Sequence, residues 1–473
     1  MSLNKLVHYL LIILFLIILY LIIGSIIPCF FTKEVSAENK EAFSKTKFTN
    51  SEVGPDRATI IETPTDALNI RMEMVRNAKK SLYITTYKIK DSLSTRAFLD
   101  EIMQAANRGV NVKLLLDGKS YFYGINAKNF LNVLNDHPNI ECRVYNPVNP
   151  LKPWNLQLLL HDKIIIADNE FLLLGGRNID ERHFAPKEFE GPITHDREIF
   201  IWHYNKDIKE EETAVKQVEN YFDSLWSFEH TSLIKDSGKD KHLSLLENSF
   251  ETFKKSNSKF FEKTLDDFLN RTVETNKITL IYNPIDVTKK EPHVAYQLRE
   301  LALKAKKSVI LQTPYATGNK DLLSVMKEVS NNVPLVMQTN SPASTPNIAA
   351  FSNYYGHRKK FIETGASIYE YQSKDSIHGK SIVIDDNLAI VGSCNMDDRS
   401  FYLDTETMLV VDSKPLASEL TNHIDNLKNN SLKLDNNNEY EVSNTVNLEE
   451  VPKYKKLLIW TVFIVMRPFQ FLI

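Results

Sequence analysis

The longest apolar stretch of the chain lies close to its start. Residues 6–31 are almost entirely Leu, Ile, Val and Phe, and they include no Asp, Glu, Lys or Arg. A helix of this length can cross the hydrocarbon core of a bilayer, so the pattern predicts a transmembrane anchor over residues 1–32. A cleaved signal peptide is the less favoured alternative, because only Gly24-Ser25 offers a weak small-residue cleavage site. The lysines on the two sides of the stretch leave the sidedness open.

Two later parts of the chain repeat one order of signals. A Lys-Lys pair leads into a strand-like run at 81–87, then an amphipathic helix, then an apolar strand at 112–116. The same order returns with strands at 308–313 and 334–339. Strands that alternate with helices predict an α/β fold, and the repetition predicts an internal duplication. The expected fold is two pseudo-symmetric α/β halves, each a mixed sheet flanked by helices, behind an N-terminal transmembrane helix.

These patterns divide the chain into six parts. They are an anchor at 1–32, a linker at 33–56, a first half at 57–205, a helical connection at 206–276, a second half at 277–428, and a linker with a C-terminal segment at 429–473. In that last part the apolar run 457–466 is too short to span a membrane and is flanked by Lys and Arg. It predicts a helix lying in the membrane interface, with a helix docked on the body as an equal alternative.

Composition weighs against some classes of function. The 473 residues carry a formal net charge of -3, so the sequence lacks the basic surface of a general nucleic-acid binder. No nucleic-acid partner is therefore expected. The three cysteines, Cys29, Cys142 and Cys394, form no C-x-x-C and predict neither a disulfide framework nor a zinc site.

One motif occurs once in each half. The first copy reads His161-Asp162-Lys163 with Asp168 downstream, and it ends at Gly175-Gly176-Arg177-Asn178. The second copy reads His378-Gly379-Lys380 with Asp385 downstream, and it ends at Gly392-Ser393-Cys394-Asn395. The spacing from His to Asn is identical in the two copies. A single His-x-Lys is most simply an accidental strand pattern, but a matched pair of extended motifs predicts a catalytic site.

The residue types in this motif suit the chemistry of a phosphodiester. Residues two apart in a strand point to the same face, so each His and its Lys project into one pocket. Lysine ammonium groups and Asn amides stabilise the negative charge that develops on phosphoryl oxygens. One histidine can attack phosphorus, and a second can protonate the leaving oxygen and then deprotonate the incoming alcohol. The paired sets supply both roles, so no metal or other cofactor is expected.

The paired motifs resemble the HxKxxxxDxxxxxxGSxN motifs of the phospholipase D superfamily. The resemblance runs from about Arg57 to Ser413, and within the superfamily the chain is most similar to bacterial cardiolipin synthases and phospholipase D-like proteins. It implies a covalent phosphohistidine, with His161 favoured as nucleophile and His378 as general acid and base. It also implies that an acidic residue at the start of a following strand orients a histidine. The matching residues are Glu406 in the second half and Asp196 in the first.

The resemblance assigns the remaining motif residues as well. Asn178, Ser393 and Asn395 are expected to bind or support the phosphate. Asp168 and Asp385 complete the catalytic motif, although a structural role for both carboxylates is favoured. One departure from the motif is Gly176, which stands where serine is usual. Five isolated histidines receive no role: His137, His183, His195, His203 and His357.

The function implied by the resemblance is phosphatidyl transfer between phospholipids at a bacterial cell membrane. Phosphatidylglycerol is the expected substrate, and two molecules of it would give cardiolipin and glycerol. Hydrolysis of phospholipids to phosphatidic acid is the first alternative. A membrane-bound phosphodiesterase or nuclease is the second, disfavoured by the charge balance and the anchor. The sequence leaves the acceptor alcohol and the oligomeric state open.

Overall fold

Two mixed β-sheets form the body of the protein. The computed structural model describes residues 3–473, apart from the side chains of residues 125 and 126. The strands up to the end of the first sheet are β1 (Asp56–Ile61), β2 (Ser81–Thr86), β3 (Asn111–Asp117), β4 (Ile140–Tyr145), β5 (Ile164–Ala167), β6 (Phe171–Gly175), β7 (Thr194–His195), β8 (Glu198–His203), β9 (Thr231–Leu233) and β10 (Val273–Glu274). Nine of them form one sheet in the order β10-β1-β8-β6-β5-β2-β3-β4-β9.

The second sheet repeats the first. Its half of the chain contains β11 (Lys277–Tyr282), β12 (Val309–Gln312), β13 (Leu335–Asn340), β14 (Ser367–Tyr371), β15 (Ser376–Ile377), β16 (Ser381–Ile384), β17 (Leu388–Gly392), β18 (Thr407–Asp412) and β19 (Ser431–Lys433). Eight of these form a sheet in the order β11-β18-β17-β16-β12-β13-β14-β19. Across the first sheet the strands from β1 to β9 lie in the order β1-β8-β6-β5-β2-β3-β4-β9, and each has a counterpart at the same place in the second sheet, from β11 to β19. This correspondence confirms the predicted α/β fold with two similar halves.

Helices cover the sheets and fill the space between them. They are α1 (Leu3–Ile26), α2 (Ala37–Ser44), α3 (Pro64–Asn77), α4 (Leu93–Asn107), α5 (Gly118–Tyr123), α6 (Ile125–Asn135), α7 (Ala214–Ser227), α8 (Asp240–Ser256), α9 (Leu265–Leu269), α10 (His293–Leu303), α11 (Lys320–Asn332), α12 (Ile348–Ile362), α13 (Asp398–Tyr402), α14 (Lys414–Lys428) and α15 (Lys453–Met466). One apolar cluster contains side chains of β5, β6, β17 and β18 together with α7 and α14. The two halves therefore share a central core.

The motif strands are buried on both faces, which explains their continuous apolar sequences. β5 and β16 are each followed by an antiparallel neighbour, β6 and β17, and no residue in β5, β16 or β17 is exposed. A short strand with Ile or Val at nearly every position is typical of such a central location. Each His-x-Lys lies just before one of these rigid strands, which fixes where its side chains can point.

The N-terminal helix stands out from the body. α1 continues into the short 3₁₀ helix Ile27–Cys29, and its apolar side chains are mostly exposed. Among residues 3–473 it is the one helix long and apolar enough to cross a membrane. The hydroxyl of Tyr20 donates to the carbonyl of Leu151, and the Lys289 ammonium donates to the carbonyl of Cys29, so the end of the helix is attached to the body.

The predicted boundaries between domains stay a prediction, and the structure adds detail to two of them. Within 206–276, helix α7 lies in the shared core, β9 extends the first sheet and α8 packs against α4. Within 429–473, β19 pairs with β14, and α15 packs against α12. Both segments are therefore integrated into the body over part of their length.

Candidate active site

Two short β-bridges join the halves at the points where the catalytic motifs begin. β7 and β15 pair in parallel, with Ile377 opposite His195, directly before His378 and Asp196. Leu160 and Thr405 form the symmetric parallel bridge, directly before His161 and Glu406. Because the residues that follow a parallel bridge run side by side, each histidine meets an acidic residue of the other half.

The first histidine is held by a carboxyl group of the second half. Nδ1 of His161 lies 2.8 Å from Oε1 of Glu406, which is fully buried. With Nδ1 occupied in this way, the free Nε2 is the atom of His161 that can attack a substrate. The ring of Tyr87 packs edge-on against His161, with 5.2 Å between the ring centroids.

The second histidine is held in the mirror arrangement. Nδ1 of His378 lies 2.5 Å from Oδ2 of Asp196, and Asp196 is also fully buried. The backbone N–H of His378 donates to the carbonyl of His195 across the seam. Tyr315 takes the place that Tyr87 has in the first half, at 6.2 Å between ring centroids. Both histidines keep a small exposed fraction, 12% and 14% of the side chain, so both rings remain partly accessible to solvent.

The two lysines complete a cluster of potential positive charge. The Lys163 ammonium donates to the carbonyl of His161, and the Lys380 ammonium lies 2.6 Å from the carbonyl and 3.1 Å from Nε2 of His378. Burial lowers the pKa of Lys163 to about 7 and that of Lys380 to about 8, with the nearby carboxylates only partly opposing the shift.

The same cluster of charges also lowers the pKa of both histidines. Burial, followed by the Lys380 charge, lowers the pKa of His378 to about 4. Burial, followed by the charges of Lys163 and Lys380, lowers the pKa of His161 well below its usual value. Four groups that can each carry positive charge thus disfavour one another's protonated forms. An anion bound between them would remove this conflict, so the pocket is electrostatically suited to a phosphodiester.

The remaining predicted site residues occupy different positions. The Ser393 hydroxyl donates to Glu406, and Nδ2 of Asn395 donates to Ser400 at 3.3 Å. The buried Oδ1 atoms of Asn178 and Asn395 have no hydrogen-bond partner in the described part of the protein. Ser393 therefore supports the carboxyl group that holds His161, whereas the Oδ1 atoms of both asparagines are left without a partner among the described residues.

Asp168 and Asp385 lie away from the pocket, in the turns that follow β5 and β16. The carboxylate of Asp168 accepts from the backbone N–H groups of residues 79, 80 and 81. That of Asp385 accepts from those of residues 306, 307 and 308. Both residues have positive φ, 56° and 57°, as tight turns require. Their contacts are with backbone at the end of the strand opposite the histidines, which fits the structural role favoured for both carboxylates.

Four residues near the histidines were missed by sequence reasoning. His183 was left without a role, yet its buried ring lies 5.5 Å from that of His378 and its Nδ1 is 3.4 Å from Asp196. Arg197 pairs with Glu62 and donates across the seam to Gln312 and Ser381. The third and fourth are Tyr87 and Tyr315. The signal for the two tyrosines was available, since Tyr87 directly follows β2 and Tyr315 lies three residues after β12.

Two groups in this pocket also have the spacing of metal ligands. They are His183 with Asp196 and His378, and His161 with Asp404 and Glu406. In each group the ligand atoms lie within 4.8 Å of one another. In each group the Nδ1 atom of the motif histidine already contacts a carboxyl oxygen of the same group.

Comparison with known proteins places this site in a family. The family model described as "Cardiolipin synthase, PLD-like domain" matches residues 72–226 and 298–428, which contain both motifs. The chain belongs to this phospholipase D-like cardiolipin synthase family. With the His and Lys of both motifs present, it is an enzyme of the phospholipase D superfamily.

The chain is also similar to individual proteins. An uncharacterized protein of Helicobacter pylori is 29% identical over 409 residues, covering 77% of each chain. Cardiolipin synthase C of Escherichia coli is 24% identical over 400 residues, covering 76% of this chain and 81% of that protein. The crystal structure of phosphatidylserine synthase from Haemophilus influenzae matches 92% of this chain and 99% of its own with a TM-score of 0.66 and 16% identity, which shows a shared fold.

The departure of this phospholipase D-like chain from the usual motif has a structural reason. A Cβ atom on Gly176 would lie 2.4 Å from Oδ1 of Asp196. In the second half the corresponding Ser393 donates to the longer Glu406. Each half thus combines its motif residue with an acidic side chain of matching length, Gly with Asp and Ser with Glu.

Restoring the usual serine in the first half should therefore damage the enzyme. We expect Gly176→Ser to lower turnover by about 10- to 100-fold, because the side chain displaces Asp196 from His378 and leaves the imidazole without its orienting partner. Turnover of the purified variant, at equal folded protein by circular dichroism, is the measurement. Ser393→Ala, which removes a hydroxyl without adding atoms, is the control and should be milder. Activity of Gly176→Ser equal to wild type would contradict the fit between Gly176 and Asp196.

Proposed function

We propose that this protein transfers phosphatidyl groups between phospholipids, and that it makes cardiolipin and glycerol from two molecules of phosphatidylglycerol. The observation that carries the proposal is the meeting of two His–Lys sets in one buried pocket, with each histidine held by a carboxyl group of the opposite half. The similarity to cardiolipin synthase C supports the choice of substrate and product.

In the proposed first step, Nε2 of His161 attacks the phosphorus of one phosphatidylglycerol. The bond between phosphorus and the oxygen of the headgroup glycerol breaks, and His378 gives its proton to that oxygen, so that free glycerol leaves. The ammonium groups of Lys163 and Lys380 face the charge that spreads over the non-bridging oxygens. The product of this step is a phosphatidyl group on His161.

In the proposed second step, a hydroxyl of another phosphatidylglycerol replaces His161. His378, now neutral, takes the hydroxyl proton while the oxygen bonds to phosphorus, and the bond between phosphorus and His161 breaks. The enzyme returns to its starting state and cardiolipin is released. Water could follow the same path, which would give phosphatidic acid instead.

The electrostatics of the two carboxyl groups support this division of roles. Burial raises the pKa of Glu406 well above its usual value, whereas His378 and Lys380 outweigh burial at Asp196 and lower its pKa. A charged Asp196 opposes the burial and the Lys380 charge that lower the pKa of His378 to about 4, and a bound phosphodiester anion adds to this effect, so that His378 can carry the proton that a general acid needs. A neutral Glu406 leaves His161 uncharged, as a nucleophile needs.

The membrane location of the site supports transfer over hydrolysis. We propose that α1 anchors the enzyme in a bacterial cell membrane, where lipid hydroxyls are concentrated near the pocket. The carbonyl of Leu151 in the first half and the ammonium of Lys289 in the second half form hydrogen bonds that attach the end of this helix to the body. A phosphatidyl group formed there meets a second lipid more often than it would in solution.

Product analysis distinguishes the alternatives. Purified enzyme in vesicles that contain phosphatidylglycerol labelled in the headgroup glycerol and in one acyl chain should release free glycerol and form cardiolipin in equal amounts. The His161→Ala protein, prepared in the same way, controls for contaminating activities. Phosphatidic acid as the dominant product at every lipid density would reassign the enzyme as a hydrolytic phospholipase D. Cleavage of DNA or RNA without lipid turnover would favour the nuclease alternative.

A further inference from the structure

Helix α15 has apolar side chains on two opposite faces. One face lies on α12, where Ile459 is fully buried and the ring of Phe463 lies 5.2 Å from that of His357. On the opposite face, Leu457 is 69% and Ile464 66% exposed. Contiguous apolar surface of this kind in contact with water is unfavourable and marks a site of interaction. The docked face explains why the helix is folded, and the exposed face requires a partner.

The position of α15 identifies the partner. The chain continues from α15 through the 3₁₀ helix Arg467–Leu472, and the ring of Phe471 packs edge-on against Phe30 at 5.4 Å. Phe30 follows directly after Ile27–Cys29, where the long apolar helix α1 ends. The end of α15 is therefore held beside the point at which α1 leaves its apolar stretch, which is the surface of any membrane that α1 enters.

The charges near α15 suit the same location. Lys453 and Lys456 at its start and Arg467 at its end are exposed. Cations at the two ends of an apolar helix are attracted to anionic lipid headgroups, while the apolar side chains between them reach the acyl chains. Lys455 differs, because its ammonium donates to the carbonyl of Ala343 and so belongs to the contact with the body.

The C-terminal residues connect α15 to the catalytic seam. The backbone N–H of Arg399 donates to the carbonyl of Ile473, and its Nε donates to the carbonyl of Leu472. Nη1 of the same arginine donates to the carbonyl of Gln157, four residues before His161. Arg399 itself follows the second motif by four residues. These hydrogen bonds connect the segment that follows α15 to the residues just before His161 and just after the second motif.

We infer that the exposed face of α15 docks into the interface of the bilayer that α1 enters, and that this contact sets the height of the catalytic pocket above the lipid. The inference rests on the proposed anchoring by α1 but not on the reaction that the site performs. It resolves the two alternatives for this segment, since one face of α15 binds the body and the other binds lipid.

A fluorophore on α15 can test this contact directly in the full-length protein. All three native cysteines are free and buried, so a thiol-reactive dye such as NBD labels an introduced surface cysteine selectively. We would label Leu457→Cys and Ile464→Cys, and use Leu245→Cys as a matched control, a 43% exposed leucine on helix α8. The labelled proteins are placed in phosphatidylethanolamine–phosphatidylglycerol vesicles with or without brominated acyl chains.

The expected result is that brominated lipid quenches the dye at 457 and 464 several-fold more strongly than the dye at 245. Equal quenching at the three positions would overturn the inference. A second contrary result has two parts. The dye at 457 is shielded from water but is not quenched by brominated lipid, and unlabelled Leu457→Cys protein crosslinks to a second copy. The apolar face would then form a dimer contact, which would also overturn the inference.

A second arm measures the consequence for catalysis. Leu457→Glu combined with Ile464→Glu should lower turnover of phosphatidylglycerol in vesicles several-fold, and should leave turnover of dissolved short-chain phosphatidylglycerol unchanged. Equal loss on both substrates would show that the helix only stabilises the body and would overturn the proposed coupling. If wild-type enzyme turns over neither substrate, the proposed function fails, while the quenching experiment still decides the membrane contact.

Discussion

Replacing either His161 or His378 with alanine will abolish turnover of phosphatidylglycerol, with a loss of at least about 1,000-fold for each single variant. The two side chains act on the same phosphorus atom, one as nucleophile and one as proton carrier, so neither step proceeds when one is missing. For the same reason the double variant should be hardly worse than either single one. The measurement is the initial rate of glycerol release from vesicles.

A matched substitution separates this effect from general damage. His137 is a partly exposed histidine whose ring bonds only to Asn107 and to the backbone N–H of residue 139, so His137→Ala should retain wild-type turnover. Thermal unfolding of all four variants shows whether the body remains folded. If each single variant retains about half of the wild-type turnover, the two halves act independently. That result would contradict a single shared site.

Asp196→Asn will lower turnover by about 100- to 10,000-fold, whereas Glu406→Gln will lower it by less than about 10-fold. The charged Asp196 carboxylate accepts from Nδ1 of His378 and stabilises its protonated form. An amide at this position removes the charge and turns a donor toward Nδ1, which disfavours the tautomer that carries the proton to the leaving oxygen. The expected loss therefore resides in kcat.

The smaller effect at Glu406 follows from its raised pKa. A glutamine amide is neutral and has the shape of a neutral carboxyl group, and its Oε1 can still accept from Nδ1 of His161. Its Nε2 faces Ser393, whose hydroxyl donates to Glu406 in the wild-type protein and can turn to accept from the amide. Rates measured over a range of pH, with circular dichroism as the control for folding, would check this. A larger loss for Glu406→Gln than for Asp196→Asn would reverse the assigned roles of the two histidines.

The sequence predicted the main features of the fold because they depend on local patterns. Strand runs, helix periodicity and the duplicated motif were enough to predict two α/β halves, and the family match and the repeated strand order confirm this. The apolar run near the start predicted α1 for the same reason, since helix length and composition are read directly from neighbouring residues.

The cross-half pairing depends on contacts that local patterns do not contain. His378 is 182 positions from Asp196, and His161 is 245 positions from Glu406. The bridges that bring them together are one or two residues long, too short to give a recognisable periodicity. His183 was missed for a similar reason, because nothing in its neighbouring sequence distinguishes a buried histidine beside a catalytic carboxylate from an isolated one.

The location of a covalent phosphatidyl group tests the proposed mechanism most directly. His378→Ala protein is mixed with a phosphatidyl ester of p-nitrophenol, whose leaving oxygen needs no proton, and the protein is then digested and analysed by mass spectrometry at a pH that preserves phosphohistidine. We predict one phosphatidyl group, on the peptide that contains His161, and none on His161→Ala protein treated in parallel. Release of p-nitrophenol without an adduct on His161, or an adduct on His378 in the His161→Ala protein, would contradict it.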